Sequence, residues 1–211
     1  MNCLQRFLCD EEGAVTVDFV VLTAGVVVLG IVVAPPIRDG VTNLAIGIGT
    51  TTSTTQRASD AQTQVLQIAA AARAATVNGS YEGVNASILA RTEKVPSAWV
   101  GPNGTTLSNP FGGQYILTPI NLSNAGAPSA TCSATTDPCN AVAITVDQLP
   151  PSACSSLITN ASANFPVILS GGVSGTVLKN DRATPAVSLT PASVTTACEA
   201  GNATITYLSV G

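Results

Sequence analysis

The sequence contains no histidine, one methionine and one tryptophan, and only 4% of its 211 residues are aromatic. Without an imidazole there is no His-based general base, no Ser-His or Cys-His triad, and none of the common zinc sites that rest on histidine. Charge is nearly as scarce: 9% of residues are Asp, Glu, Lys or Arg, against about 25% in ordinary soluble domains. Its eight basic residues form no patch that would track a phosphate backbone, so nucleic acid is not an expected partner. The acids that a carboxylate-pair mechanism would use, Asp137, Asp147 and Asp181, are scattered along the chain, and scattered acids read as solvated surface. Gly112-Gly113 and Gly171-Gly172 are turn signals and lack the surroundings of a phosphate loop. No catalytic residue, cofactor or metal site is expected.

Thr, Ser, Ala, Asn and Gly fill the place of the missing charges, and 45% of the chain is apolar. That is too apolar for disorder, and the surface suits a secreted protein or a subunit buried among copies of itself. The length allows one domain plus an anchor. The anchor is plain: from Ala14 to Ala34 the chain is apolar except for Asp18. As a helix this run measures about 31 Å, enough to cross the hydrocarbon core of a bilayer. Everything beyond it then starts on one side of a membrane. Asp18 within such a helix costs about 2.5–3.5 kcal/mol even on the lenient insertion scale, so something must compensate it. Either the carboxylate lies at the headgroups and reaches water, or, if a peptidase cuts after Gly13, the new amine of Ala14 on one copy neutralises Asp18 on the next.

The leader, Met1–Gly13, holds one arginine and three acids and has its glycine before the apolar run, unlike a secretory signal. Arg6 and Arg38 flank the run symmetrically, so positive-inside counting sets no orientation. Cys9 precedes the apolar segment, where a lipidated cysteine would follow it.

After Pro35-Pro36, a helical pattern over Arg38–Ile48 gives way to GIGTTTSTT, where a bend or interruption is expected. From Gln56 a stripe of mostly small residues, Ala58, Ala61, Val65, Ile68, Ala72 and Ala75, predicts a helix that lies close on a sheet or another helix, ended by Asn78-Gly79. A turn-rich stretch, Tyr81–Gln114, carries one short helix, Val84–Thr92. Strands are predicted over Tyr115–Pro119, Ala141–Asp147, Pro166–Leu169, Val173–Leu178 and Ala203–Val210. Helices are predicted over Pro151–Asn164, with Cys154, Leu157, Ile158 and Ala161 on one face, and over Pro191–Ala200. Six Asn-x-Ser/Thr sequons, at Asn78, Asn85, Asn103, Asn121, Asn160 and Asn202, are expected by chance in so Ser/Thr-rich a chain.

Two cysteines, Cys3 and Cys9, lie in the leader, which leaves Cys132, Cys139, Cys154 and Cys198 beyond the apolar run. An even number there implies disulfides and an oxidising compartment, with three possible connectivities. Zinc is the competing account, but no CxxC pair and no histidine accompany these cysteines.

The N-terminal pattern resembles the class III signal of type IV prepilins: Gly13 at the cleavage position, Asp18 as the acid five residues on, Phe19 as its aromatic neighbour, and Pro35 where pilin helices often kink. The EEGA wording is most similar to the tight-adherence (Flp) prepilins, whose acid is normally Glu. Further on, NPFGG and the sentence AVAITVDQLPPSACSSLITNASANFPVIL resemble the head of type IVb pilins such as toxin-coregulated pilin. The resemblance implies an α+β fold with a long N-terminal helix on an antiparallel sheet. It divides the chain into a leader (1–13), a transmembrane and filament-core helix (14–37), a helical stalk (38–78) and a head (79–211). It pairs Cys154 with Cys198, which leaves Cys132 with Cys139; chain-entropy arithmetic assigns the two loops about 4 and 2.5 kcal/mol.

The function implied is structural. Prepilin peptidase would cut after Gly13 and N-methylate Ala14. An inner-membrane platform and ATPase would extract the helix into a homopolymer that leaves through an outer-membrane secretin. The precursor would sit in the inner membrane with its head in the periplasm, and the product outside the cell. A minor pilin or type II secretion pseudopilin would share these features, and an uncleaved membrane-anchored periplasmic binding module or enzyme would not be cut at Gly13.

Overall fold

The structure, a computed structural model, describes residues 53–133 and 137–210. The leader, the apolar run, Pro35 and the helical pattern over Arg38–Ile48 lie outside the described residues. The first described element, α1, is helical over 53–74. The interruption expected across 47–55 therefore does not reach Ser53, Thr54 and Thr55. The β-branched penalty is only tenths of a kcal/mol per residue, and the buried turns that follow already supply the helix nucleus from which these residues propagate. Ala61, Val65, Ile68 and Ala72 have no exposed surface and Ala58 almost none. Ala75, at the end of the stripe, falls in the turn that follows and is half-buried. There Val77 bridges Ser80 across Asn78 and Gly79, both at positive φ (53° and 77°). Asn-Gly is the pair a two-residue reversal of that hand favours.

Helix α2 spans Ala86–Arg91, capped by the Asn85 side chain on the Ile88 N–H. Seven strands follow with two further helices: β1 (Leu107–Ser108), β2 (Gln114–Leu122), β3 (Pro128–Ser129), β4 (Ala141–Leu149), α3 (Pro151–Ala161), β5 (Val167–Ser170), β6 (Thr176–Asn180), α4 (Pro191–Cys198) and β7 (Ala203–Val210). The sheet is antiparallel throughout, in the order β1-β2-β4-β7-β5-β6, with β3 paired to the far end of β2.

Central strands β4 and β7 are apolar on both faces, as their nearly unbroken runs of buried residues require. On one face Tyr115, Leu117, Ile144, Val146, Ile205 and Tyr207 join the buried sides of α1 and α3 in the main core. On the other, Ile120, Leu122, Ala143, Val167, Leu169 and Leu208 form a second cluster. Two buried threonines on that second face satisfy each other: Thr145 and Thr206 share a hydroxyl bond of 2.8 Å, and Thr206 donates to the Gly171 carbonyl at 2.6 Å.

Polar ties hold α1 in place. The Tyr115 hydroxyl donates to Gln64 Oε1 (2.8 Å), Arg73 donates to the Ser209 hydroxyl (3.1 Å), and Gln62 donates to the Asn160 carbonyl (3.2 Å). They fasten the helix to β2, β7 and α3.

Several element boundaries differ from the sequence expectation. Strand β2 continues through Pro119 to Leu122. The Asn140 side chain takes both backbone groups of Leu122, at 2.7 and 3.0 Å, on the β4 side. Because backbone direction alternates along a strand, Pro119 turns its missing N–H to the opposite edge, between the stretches that β1 and β3 pair. The strand expected over Val173–Leu178 begins instead at Thr176 and runs to Asn180, since Gly171 (φ 91°) and Gly175 turn the chain and a Cβ on Gly175 would collide with the Ser170 carbonyl. Helix α3 stops at Ala161, short of Asn164: Lys179 Nζ donates to the Ser162 (2.7 Å) and Phe165 (3.0 Å) carbonyls while pairing with Asp181 at 2.6 Å. Helix α2 is confined to Ala86–Arg91 and α4 to Pro191–Cys198, shorter than expected by one or two residues at the ends that differ.

All three tyrosines are buried, and burial raises each phenol above its ordinary value of about 10. The Asp60 charge adds to the effect at Tyr115 and the neighbouring Tyr115 adds to it at Tyr207, whereas Arg73 partly offsets it at Tyr81. The folded head therefore keeps its tyrosines protonated where the unfolded chain ionises. Stability present below about pH 10 is expected to fall above it, by up to about 1.4 kcal/mol per pH unit for each tyrosine. Near-ultraviolet phenolate absorbance should rise only together with loss of β-sheet circular dichroism. Ionisation of all three in a still-folded head would contradict this.

Candidate functional site

Asp137, Asp147 and Asp181 sit in different elements with different local partners: Asp137 accepts from Asn121 (2.6 Å), Asp147 accepts from the Gln114 N–H (2.5 Å), and Asp181 pairs with Lys179. Among the described residues no group of three or more His, Cys, Asp or Glu could hold a metal ion. No described helix is long and apolar enough to cross a membrane. Gly13, Ala14, Asp18, Phe19 and Pro35 lie outside the described residues, so the site that the structure builds is the disulfide-bonded part of the head.

Cys154, on the buried face of α3, is joined to Cys198 at the last position of α4, with Cα atoms 5.7 Å apart. Both are buried. The bond closes a lobe made of α3, β5, β6 and α4. Helix α4 is started by a capping box, in which the Thr190 hydroxyl accepts from the Ser193 N–H and the Ser193 hydroxyl accepts from the Thr190 N–H. Phe165, between α3 and β5, packs on Tyr207 of β7 with ring centroids 5.1 Å apart and the planes tilted by 46°.

Cys132 is joined to Cys139, with Cα atoms 5.2 Å apart. The Cys139 carbonyl accepts the Tyr81 N–H at 2.8 Å, and the Asn121 side chain donates to Asp137 and to the Pro138 carbonyl. This second bridge thus ties the loop before β4 to the chain reversal that follows α1.

The NPFGG stretch is a clasp between β1 and β2. Asn109, buried, accepts with Oδ1 from the Phe111 (2.9 Å) and Gly113 (3.0 Å) N–H groups and donates with Nδ2 to the Asp147 carbonyl (2.8 Å). Gly112 adopts φ 89°, and a Cβ on Gly113 would collide with Asp147 and Asn109. The clasp grips β4 at its bulge, where Gln148 takes φ 55°. Sequence wording marked this stretch; the reason for each residue is visible only in three dimensions.

One feature of the lobe was missed in sequence. From Gln148 to Leu178, and again from Ala183 to Cys198, there is no charged residue. Several hydroxyls on or next to the two helices donate to backbone carbonyls: Ser155 to Pro151, Thr159 to Ser155, Ser162 to Thr159 and Thr195 to Pro191, at 2.7–3.1 Å. The signal, a long charge-free interval rich in Ser and Thr, was available in the sequence.

A family model described as PilS N terminal matches residues 55–210. The chain is 28% identical over 136 residues to the major structural subunit of bundle-forming pilus from Escherichia coli O127:H6. That match takes in 61% of this chain and 63% of the relative's length, so the chain spans somewhat under two thirds of it. Among solved structures, a type IV b pilin from Salmonella typhi is similar with a TM-score of 0.49 and 20% identity, over 72% of this chain and 99% of that one. TcpA, a type IV pilin from Vibrio cholerae, is similar with a TM-score of 0.49 and 18% identity, over 72% and 98%.

The larger bridge and the clasp can be tested separately. Cys154→Ser is expected to destabilise the head by about 2–5 kcal/mol, because it frees the whole lobe. Gly113→Ala, which forces a methyl against Asp147, is expected to cost about 1–3 kcal/mol through overpacking of the clasp. Denaturant titration of the two variants against wild type measures both, and a wild-type midpoint for either would show that its constraint is not felt.

Proposed function

The chain belongs to the type IV pilins, and from that premise we propose that it is the structural subunit of a type IVb-like pilus, made as a membrane-anchored precursor and assembled into an extracellular filament. The observation that carries the proposal is that the family match runs through almost the entire described head, 55–210, including α1, the clasp and both bridges. The head has the properties a filament subunit needs. It is cross-linked against an oxidising exterior, and its surface carries few charges that packing among copies would strip of water.

In this reading prepilin peptidase cuts after Gly13 and N-methylates Ala14, and residues 14–37 hold the head in the inner membrane. The platform and its ATPase lift that helix into a bundle of copies, with Phe19 and Pro35 shaping it, and the filament leaves through the secretin. Asp18 supports the reading in a specific way. A carboxylate four residues from a newly exposed amine meets its counter-charge only when a second subunit docks in register. The machinery supplies the energy of extraction, and the subunit supplies surfaces.

Mass spectrometry of sheared surface fibres is expected to find this chain beginning at Ala14, and Gly13→Arg to leave an uncut membrane protein. An intact Met1 on surface material would overturn the processing. Asp18→Asn should preserve insertion and cleavage while fibres become rare, and Asp18→Glu should restore them. Normal fibre yield from Asp18→Asn would return that residue to the role of a solvated helix end.

A further inference from the structure

The face of the sheet turned away from α1 and α3 is apolar and shielded. Ile120, Leu122, Ala143, Val167, Leu169 and Leu208 are at most 2% exposed. No residue of the described helices belongs to this cluster; Ile68 of α1, Leu89 of α2, Leu157 of α3 and Cys198 of α4 all join the other one. The turn that carries Val173 packs against part of the cluster. The β2–β3 hairpin reaches over the rest. Its loop is closed by its own bonds, from the Gly126 N–H to the Ser123 carbonyl (2.8 Å) and from the Ala127 N–H to the Ser123 hydroxyl (3.0 Å). At the tip, Asn180 Nδ2 donates to the Ala125 carbonyl (3.0 Å), and Gly126 (φ 74°) lies so close that a Cβ there would collide with Asn180. Asn180 pairs with Val167, which pairs with Leu208, and cross-strand partners share a face. Strands β4, β7 and β5 separate β2 from β6, so the hairpin crosses the second face to reach its latch.

We propose that the β2–β3 hairpin is a redox-controlled lid on the second apolar face: closed while Cys132 and Cys139 are bonded, open when a dithiol reduces them. The inference concerns the head alone and does not rest on the pilin reading.

The base of the hairpin is fastened to the bridged segment. Asn121 pairs with Ser129 inside the hairpin, and its side chain donates to Asp137 (2.6 Å) and to the Pro138 carbonyl (3.0 Å), both within the span that the bridge closes. Asn140, next to Cys139, holds both backbone groups of Leu122. Where residues 137–140 sit therefore decides where the hairpin sits. The bridge fixes that position relative to Cys132, three residues beyond β3.

The two bridges differ in access. Cys132 is half-buried, whereas Cys154 and Cys198 are 0% and 2% exposed. Exchange needs a thiolate to reach a sulfur, so a dithiol meets the small bridge first. Its thiolate attacks Cys132 Sγ and breaks the bond to Cys139, which leaves as a thiolate and takes up a proton. The donor's second thiolate then displaces Cys132 from the mixed disulfide. Two electrons have passed to the bridge, and the donor departs as its own disulfide. The small bridge joins residues 7 apart in sequence and the large one residues 44 apart, so losing the small one relaxes the unfolded chain less and leaves the lobe closed. An open lid puts Leu122, Val167 and Leu208 in contact with water.

The test titrates the full-length chain in detergent with dithiothreitol. Differential alkylation reports which bridge has opened, hydrogen exchange follows residues 120–131, and hydroxyl-radical footprinting follows Leu122, Val167 and Leu208. Cys132 and Cys139 are expected to alkylate while Cys154 and Cys198 stay bonded. At that point exchange over 120–131 should rise about tenfold or more, the three aliphatic side chains should oxidise faster, and reoxidation should reverse both. Asn180→Ala is expected to free the tip without reductant, with faster exchange over 123–127 and the bridge intact. The Cys132→Ser, Cys139→Ser double variant should show the reduced pattern with no dithiol, and the reduced wild-type chain gives the same reading without any substitution. Unchanged exchange once the small bridge is open overturns the proposal. So does reduction of Cys154–Cys198 before or together with it, or wild-type exchange over 123–127 in Asn180→Ala.

Discussion

The ladder between β4 and β7 is the interaction on which the head depends. Ala141 through Val146 pair with Val210 back through Ile205 without a break. Every other strand joins the sheet through one of these two or beyond it, and both major apolar clusters draw side chains from both. A strand pair apolar on both faces is stable only when both faces are covered. The main core meets that demand with α1 and α3 on one face. Two of the polar side chains drawn into the sheet, Thr145 and Thr206, are bonded to each other.

Around this ladder the two disulfides act on different parts of the chain. Cys154–Cys198 closes the lobe that follows β4 and delivers the chain into β7, so it holds together segments on both sides of the central pair. Cys132–Cys139 acts before β4, where the Cys139 carbonyl meets Tyr81 and the loop grips the end of β2 through Asn121. A head with so few ionic contacts relies on such covalent and backbone constraints; among the described residues Lys179–Asp181 is the ion pair found, and its lysine is engaged with helix carbonyls as well. The scarcity of charge therefore has a consequence for assembly. Surfaces whose hydroxyls already donate to backbone carbonyls can be buried between copies with little desolvation cost.

Much of the architecture could be read from local pattern. The alanine-rich stripe from Ala58 to Ala72 announced α1 and its buried side, because a period of three and four has no other simple cause. The β-rich run Ala141–Asp147 announced a strand. What escaped were features that depend on distant partners. Strand β1 is two residues long and exists because Tyr115 and Gln114 stand opposite it. Pro119 looked like a strand end until the neighbour on its N side proved to be missing. Val173 has the propensity of a strand residue, whereas the glycines around it turn the chain.

The sequence by itself determined the α+β class, the single long apolar run, the core-facing stripes and the membership of the type IV pilins, because periodicity, composition and motif wording are local properties. Tertiary structure alone decided how Asn109 spends its side chain, why Gly113 has no room for a Cβ, where Lys179 stops α3, and that Gln64 and Gln62 fasten α1 to β2 and α3. It also decided that the β2 and β6 edges face opposite ways. These outcomes depend on which groups, tens of residues apart, are brought within hydrogen-bond distance, and that is set by strand order and register, which no local stretch of chain encodes.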